Sequence, residues 1–424
     1  MRILVIGGGG REHAIVWSLA KSEKVEELLC APGNAGIAEL AECVPIAVDQ
    51  FAELVQLAKD RRIDLVVVGP DDPLAAGIVD EFQAAGIPAF GPDRKAAEIE
   101  GSKIFMKNLL HKYNIPTARY ESFTDFEQAL AYLRQQPVPI VVKADGLAAG
   151  KGVTVAATLE EAEEALRGMM LGGVFGASGS QVVIEEFMTG QEMSILAFVD
   201  GETVRAMVPA QDHKAIFDGD KGPNTGGMGT YSPLPHISQA LVDDAIVNII
   251  EPTARAMVSE GRPFRGFLFA GLMLTPDGVK TVEFNARMGD PETQVVLPRL
   301  ETDLLDIIMA AMEGRLADIE IKWNDEAAVC VIVASEGYPG SYPKGRPIIG
   351  LEAAKAQGAL VFHAGTALKD GELVTNGGRV LGIVGLGSDI SEARSRAYGA
   401  VSAISFEGMQ CRTDIALKAL QTAK

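Results

Sequence analysis

The chain has 424 residues, 47% of them hydrophobic and 22% charged, a composition that excludes a disordered polymer and a length that calls for two to four domains. Its formal net charge of −19 argues against broad nucleic-acid binding, because phosphate backbones attract basic surfaces, yet it leaves room for small phosphorylated substrates held by local Lys, Arg and backbone N–H groups. No apolar run is long enough to span a bilayer. The four cysteines lack a Cys-x-x-Cys spacing, and RILVIGGGG lacks the apolar stretch and cleavage site of a signal peptide, so a cytoplasmic protein with reduced thiols is expected.

From Met1 to about Pro92, strand-like runs alternate with helical patterns: ILVIG, a helix from Arg11, ELLCA, a helix from Phe51, DLVVVGP and a helix toward Ala85. This rhythm predicts a parallel α/β domain. Ligands of such sheets sit at the C-terminal ends of the strands, where GGGGREH, APGNAG and GPDDPL fall. A helix near Ser102 follows, with Met106, Leu109, Leu110 and Tyr113 on one face, and stops before Pro116. From Pro139, two β-rich runs flank a Gly-rich turn, and an acidic helix and the strand QVVIEEF complete a small α+β unit. Beyond Glu192 come a hairpin around DGETV, the segment FDGDKGPNTGGMG, a helix from about Gln239, and the strands GFLFAGLMLT and KTVEFNA. The glycine-rich segment reads as a long, mobile binding loop. A last segment from about Glu326 opens with AAVCVIVAS and closes with a helix after Thr413.

GGGGREHA follows a strand and opens a helix, which suits a phosphate held by backbone N–H groups. It departs from the dinucleotide fingerprint twice: Glu12 replaces the third glycine, and the second strand ends in Ala31-Pro32-Gly33-Asn34 instead of an acid. A tight turn without a ligand is the less frequent alternative for such a loop. GLAAGKG lacks the spacing and the Ser/Thr of a Walker loop and lies between two strands. It can fold over phosphates as a flap with Lys151 reaching in, although the turn by itself is equally compatible with an ordinary glycine hairpin. In VEFNA, the two-residue period places Glu283 and Asn285 on one strand face and turns Phe284 to the core. Two oxygen ligands at that spacing suit Mg²⁺, which completes its shell with water and phosphate oxygens. Standing alone, an acid in a strand is more often a surface or salt-bridged group. His213 reads as structural, and Trp17 and Trp323 as packing residues.

Lys103 near a helix start, Lys143 in a strand, the glycine turn, Glu185, Glu186 and Glu192, and then Glu283, Asn285 and Arg287 occur in an order that resembles the ATP-grasp family. Within it, GGGGREHA, APGNAG, GPDDPL, EGSK, KADGLAAGKGV, DHKAIFDGDKGPNTGGMG, EFNARMGDPETQ and GGRVLGIVGLG are similar, in order and over nearly the whole chain, to the motifs of the glycinamide ribonucleotide synthetases.

The resemblance implies an α/β and α+β multidomain fold: an N-terminal parallel α/β substrate-binding domain over 1–101, an ATP-grasp domain over 102–325 with a flap subdomain at about 123–190, and a C-terminal α+β domain over 326–424. It further implies an ATP site of Lys103, Lys143, Gly146, Gly150, Lys151, Gly152, Glu185, Glu186 and Glu192, and a Mg²⁺ or Mn²⁺ site at Glu283 and Asn285. Arg287, Lys214 and Asp212 would be the catalytic contacts; Gly8, Gly9, Arg11, Glu12, Asn34, Asn224, Thr225 and Gly226 would hold substrate. The implied activity is that of a monomeric ligase joining glycine to 5-phosphoribosylamine through glycyl phosphate. A sister ATP-grasp enzyme acting on another ribonucleotide or on bicarbonate is the alternative, and a non-catalytic nucleotide-binding protein is the rival of a different class. Many ATP-grasp enzymes carry a further carboxylate on the strand before the metal pair, whereas FLFAGLML supplies none.

Overall fold

The computed structural model describes residues 1–147, 152–172 and 180–421. Its N-terminal part is a five-stranded parallel sheet in the spatial order Glu42–Cys43, Glu27–Pro32, Arg2–Gly7, Leu65–Val68 and Ala89–Phe90. Ile3 to Ile6 and Leu65 to Val68 are buried without alternation, as strands covered on both faces must be. The strand order turns back on itself at Arg2–Gly7, so a crevice opens above its C-terminal end. Gly8 closes one wall of that crevice, since a Cβ there would lie 2.5 Å from the Gly33 carbonyl oxygen.

The middle of the chain builds two antiparallel sheets. One orders Thr203–Ala206, Gln191–Asp200, Arg265–Thr275 and Gly278–Asn285. The other orders Tyr120–Phe123, Val182–Glu186, Ile140–Ala144 and Val153–Ala156. Helices Phe126–Leu133 and Leu159–Met170 pack on this smaller sheet and give it a core of its own. The second helix begins at a Thr158/Glu161 capping box and buries Ala162, Leu166 and Met169 along one stripe.

The last sheet is antiparallel and runs Gln211–Asp212, Gly229–Ser232, Ala327–Ser335, Arg379–Gly387 and Leu360–His363, with Met409–Gln410 also paired to Ala327–Ser335. Its first two strands precede residue 326, so this sheet draws on both sides of the boundary expected there. The segment expected as a mobile loop is also built differently. Ala215–Phe217 pairs with Lys221–Asn224 as a ribbon, and buried Arg412 donates to the Ala215 carbonyl and to Asp220, both at 3.0 Å. The Gly219 N–H donates to Asp414 at 2.8 Å, and that of Thr413 to Asp218 at 2.8 Å. Local glycine content suggested mobility; the partners that hold the ribbon lie nearly 200 residues away. Among the described residues, no helix is long and apolar enough to cross a membrane.

Candidate active site

The strand Gly278–Asn285 ends at the cleft between these units. Phe284 is buried on one face while Glu283 and Asn285 remain partly open on the other. Glu100, at the end of helix Arg94–Gly101, ties down the end of this strand. Its Oε1 accepts from Asn285 Nδ2 at 2.7 Å, its Oε2 accepts from the Ala286 N–H at 2.7 Å, and Arg287 Nη2 lies 3.0 Å from Oε1. Burial raises the Glu100 pKa, although Arg287 and these donors oppose the rise. Gly271 faces Glu283 across the ladder; a Cβ there would come within 3.2 Å of the Glu283 stem. The neighbouring strand is thus closely packed at the position opposite Glu283.

Two lysines approach from other elements. Ser102 caps the helix Lys103–Lys112 through the Phe105 N–H, and Asp145 accepts the Ile104 N–H at 3.0 Å. This arrangement brings Lys103 Nζ to the Gly146 carbonyl at 2.8 Å. Lys143 Nζ lies 3.0 Å from Glu185 Oε1, and Lys107 Nζ lies 3.2 Å from Glu185 Oε2. All three of those side chains are almost completely buried. Burial lowers the Lys107 pKa to about 8 against the pull of Glu185. Gly152 accepts from the Ala144 N–H at 2.8 Å. Gly150 and Lys151 lie outside the described residues.

Lys214 Nζ stands 3.8 Å from Glu192 and 4.0 Å from Glu283. Burial pushes Glu283 up, but Lys214, Lys143, Lys103 and Arg287 together outweigh it and hold the carboxylate below its usual range. Asp212 goes the other way, to about 8: burial raises it, Lys214 pulls it down, and Glu292, Glu192 and Glu283 add to the rise. Burial lowers His213 to about 4, and its Nδ1 lies 3.3 Å from the Gly229 carbonyl oxygen. The ring is buried.

The remaining expected site residues divide. Glu12 caps its own helix through the Gly9 N–H at 2.7 Å and pairs with Arg11; Arg11 also donates to the Met288 carbonyl at 3.3 Å. The N-terminal loop is thereby joined to the segment after the strand Gly278–Asn285. Asn34 is committed to the fold: its Nδ2 donates to the Gly8 and His363 carbonyls at 3.0 and 2.8 Å, and its Oδ1 accepts from the Gly36 and Ile37 N–H groups. Glu186 pairs with Arg119 at 2.6 Å and Lys280 at 3.6 Å. Asn224 is exposed, Thr225 bonds back to the Lys214 carbonyl, and Gly226 lies between the Tyr338 hydroxyl and Arg379.

Sequence reasoning assigned no role to Glu100, Lys107, Asp290, Glu292 or Arg379. Arg379 Nη2 pairs with Asp290 at 2.9 Å, and buried Glu292 accepts from Ser194 at 3.2 Å. Signals existed for some of them. Glu100 belongs to EGSK, Asp290 and Glu292 to RMGDPETQ, and Lys107 falls one helical turn after Lys103.

An antiparallel sheet presenting Glu283 and Asn285 faces a small α+β unit that contributes Lys143, and the matching family model places the arrangement in the ATP-grasp class, which uses ATP. Three family models described as phosphoribosylglycinamide synthetase match in series: the N domain over residues 1–100, the ATP-grasp (A) domain over 101–293 and the C domain over 328–418. The chain belongs to the phosphoribosylglycinamide synthetase family. It is 52% identical to a phosphoribosylamine–glycine ligase of Caldanaerobacter subterraneus subsp. tengcongensis, covering 98% of this chain and 99% of that one. It is 53% identical to that of Halalkalibacterium halodurans, covering 99% and 97%. The crystal structure of the Thermotoga maritima phosphoribosylamine–glycine ligase superposes with a TM-score of 0.86 at 35% identity, covering 98% of this chain and all of that one. At 14% identity and a TM-score of 0.74, covering 100% of this chain and 94% of that one, the biotin carboxylase domain of Hydrogenobacter thermophilus 2-oxoglutarate carboxylase shares the fold.

Proposed function

We propose that the protein ligates glycine to 5-phosphoribosylamine at the expense of ATP, forming glycinamide ribonucleotide, ADP and phosphate in purine biosynthesis. Membership of the family and the names of its curated relatives support this reading. The observation that carries the chemistry is the placement of Lys103, Lys143, Lys214 and Arg287 close enough to Glu283 to outweigh its burial. A carboxylate is a poor electrophile, so glycine must first be activated. Transfer of the γ-phosphoryl group gives glycyl phosphate; the amine of phosphoribosylamine then attacks the acyl carbon and expels phosphate. Both steps build charge on phosphoryl oxygens, and fixed cations in a closed cleft stabilise such charge.

Glu283 and Asn285 would hold Mg²⁺ or Mn²⁺, which when bound neutralises phosphate charge. The residues fit that task, because the Asn285 NH₂ is already taken by Glu100. Mg²⁺ held by two protein oxygens would draw its remaining ligands from phosphate and water. Lys103 and Lys143 are assigned to the ATP phosphates, with Glu185 holding Lys143 in place. Arg11 and the N-terminal loop are assigned to the ribose phosphate. The activity is that of a cytoplasmic enzyme with four free thiols.

The test is oxygen transfer. Glycine labelled with heavy oxygen in its carboxylate should give inorganic phosphate bearing one labelled atom, with ADP released only when both substrates are present. Labelled AMP, or unlabelled phosphate in a single turnover, would overturn the mechanism.

A further inference from the structure

We propose that Glu100 is a positioning residue that decides which end of the Asn285 amide faces the nucleotide cleft, so that a helix preceding the ATP-grasp segment controls binding of the divalent cation. The inference deepens the proposed ligase function and rests on Asn285 being a ligand. Glu100 is 5% exposed at its side chain, and three consecutive residues, the last of the strand Gly278–Asn285 and the two that follow it, donate to it: Asn285 Nδ2 at 2.7 Å, the Ala286 N–H at 2.7 Å and Arg287 Nη2 at 3.0 Å. A carboxylate accepts hydrogen bonds and has none to give, so the amide must turn its NH₂ toward Glu100. Asn285 Oδ1 is thereby left for the cleft. The two ends of an amide differ little in size, and only the oxygen can bind a hard cation. Nothing in the shape of Asn285 selects the orientation; the charge of Glu100 does.

The test uses the full-length protein with ADP as a non-reacting nucleotide, and reads Mn²⁺ affinity from the electron paramagnetic resonance of the free ion. Glu100→Gln preserves the shape but turns one acceptor into a donor. Whichever way the new amide lies, it confronts either the Ala286 N–H or the Asn285 NH₂ with another donor. The expected result is a loss of Mn²⁺ affinity of about tenfold to a hundredfold. Adding Asn285→Asp restores a donor–acceptor pair between residues 100 and 285 and leaves one carboxylate oxygen for the ion, so the double variant should recover to within about threefold of the parent. Asn285→Asp alone is measured beside it, because the added carboxylate by itself tightens a cation site; a general packing role for Glu100 would give the same gain from Asn285→Asp with or without Glu100→Gln.

Parent-like affinity in Glu100→Gln, or a double variant no tighter than Glu100→Gln, overturns the proposal. If Glu100→Gln alone does not fold, the double variant must fold and bind Mn²⁺ tightly, and its failure to do so overturns it equally. Asn285→Ala separates this inference from the one beneath it. Unchanged Mn²⁺ affinity there removes the ligand assignment itself, whereas a loss there beside an unaffected Glu100→Gln removes only the role of Glu100.

Discussion

Glu283 stays ionised against its own burial because four cations face it, and the same balance makes it exposed to test. Glu283→Gln keeps the volume and removes the charge, so kcat is expected to fall by about a hundredfold or more with little change in thermal stability. Near-parent turnover at limiting Mg²⁺ would remove Glu283 from the metal site. Lys107 acts one step further back. Because it shares Glu185 with Lys143, Lys107→Met leaves the carboxylate to Lys143 alone and draws that ammonium away from a phosphate. The expected signature is a KM for ATP raised by about tenfold, the worth of one charge-assisted hydrogen bond. A fall in kcat at unchanged KM would contradict it. The strand residues of this cleft were legible in the sequence because a two-residue period predicts which side chains share a face. The task of Glu100 was not: EGSK marks the residue, but its bond to Asn285 spans 185 residues and no local pattern encodes that partner.

At the scale of elements, the parallel strands, the small α+β unit and the paired strands before Ala286 were legible from hydrophobic runs and turn residues. The ribbon Ala215–Phe217 with Lys221–Asn224 was not. Five of the residues from Asp218 to Asn224 are Asp, Gly or Pro, a composition that reads as a free loop, whereas its order comes from Arg412, Thr413 and Asp414. Arg412 is completely buried at its side chain, so Arg412→Met leaves Asp220 and Asp414 without their common partner. A loss of about 1–3 kcal/mol is expected, because the Ala215 carbonyl loses its donor while Asp220, nearly half exposed, keeps Lys418. Hydrogen exchange should localise it: amides of 215–224 should exchange faster while those of Ala327–Ser335 keep their protection. Equal protection of the ribbon in variant and parent would dismiss Arg412 as its anchor.

Across the whole molecule, the N-terminal unit is pinned to the C-terminal one through two buried histidines. The His363 N–H donates to His13 Nδ1 at 2.8 Å, a bond that only a neutral His13 can accept. Burial lowers His13 to about 3, and His213 and His363 to about 4, against about 6.5 in an unfolded chain. Below pH 6.5 the unfolded state therefore gains protons that the folded state refuses at these three sites, and the stability they contribute falls as pH drops from 6.5 toward 4, whereas Asp212, raised to about 8, contributes in the opposite sense. For His213 alone the loss reaches about 3 kcal/mol at the low end. His13→Asn can place an amide oxygen where Nδ1 was and does not titrate, so its thermal midpoint should fall less steeply over that window. Parallel profiles for variant and parent would contradict the linkage.

The anchoring of residues 215–224 by Arg412 also sets a timetable for the newborn chain. The Ala215 carbonyl waits for a donor 197 residues further on, and at roughly 5–20 residues per second the ribosome supplies it about 10–40 s later. Gly229–Ser232 likewise waits for Ala327–Ser335. During that interval the parallel sheet can already close, since its partners are all made within the first ninety residues. The ribbon beside Lys214 is thus among the last parts to settle, and a chain released before Arg412 would keep Glu283, Asn285, Lys103 and Lys143 yet lack a fixed Lys214. The fold withholds a finished cleft from an unfinished translation product.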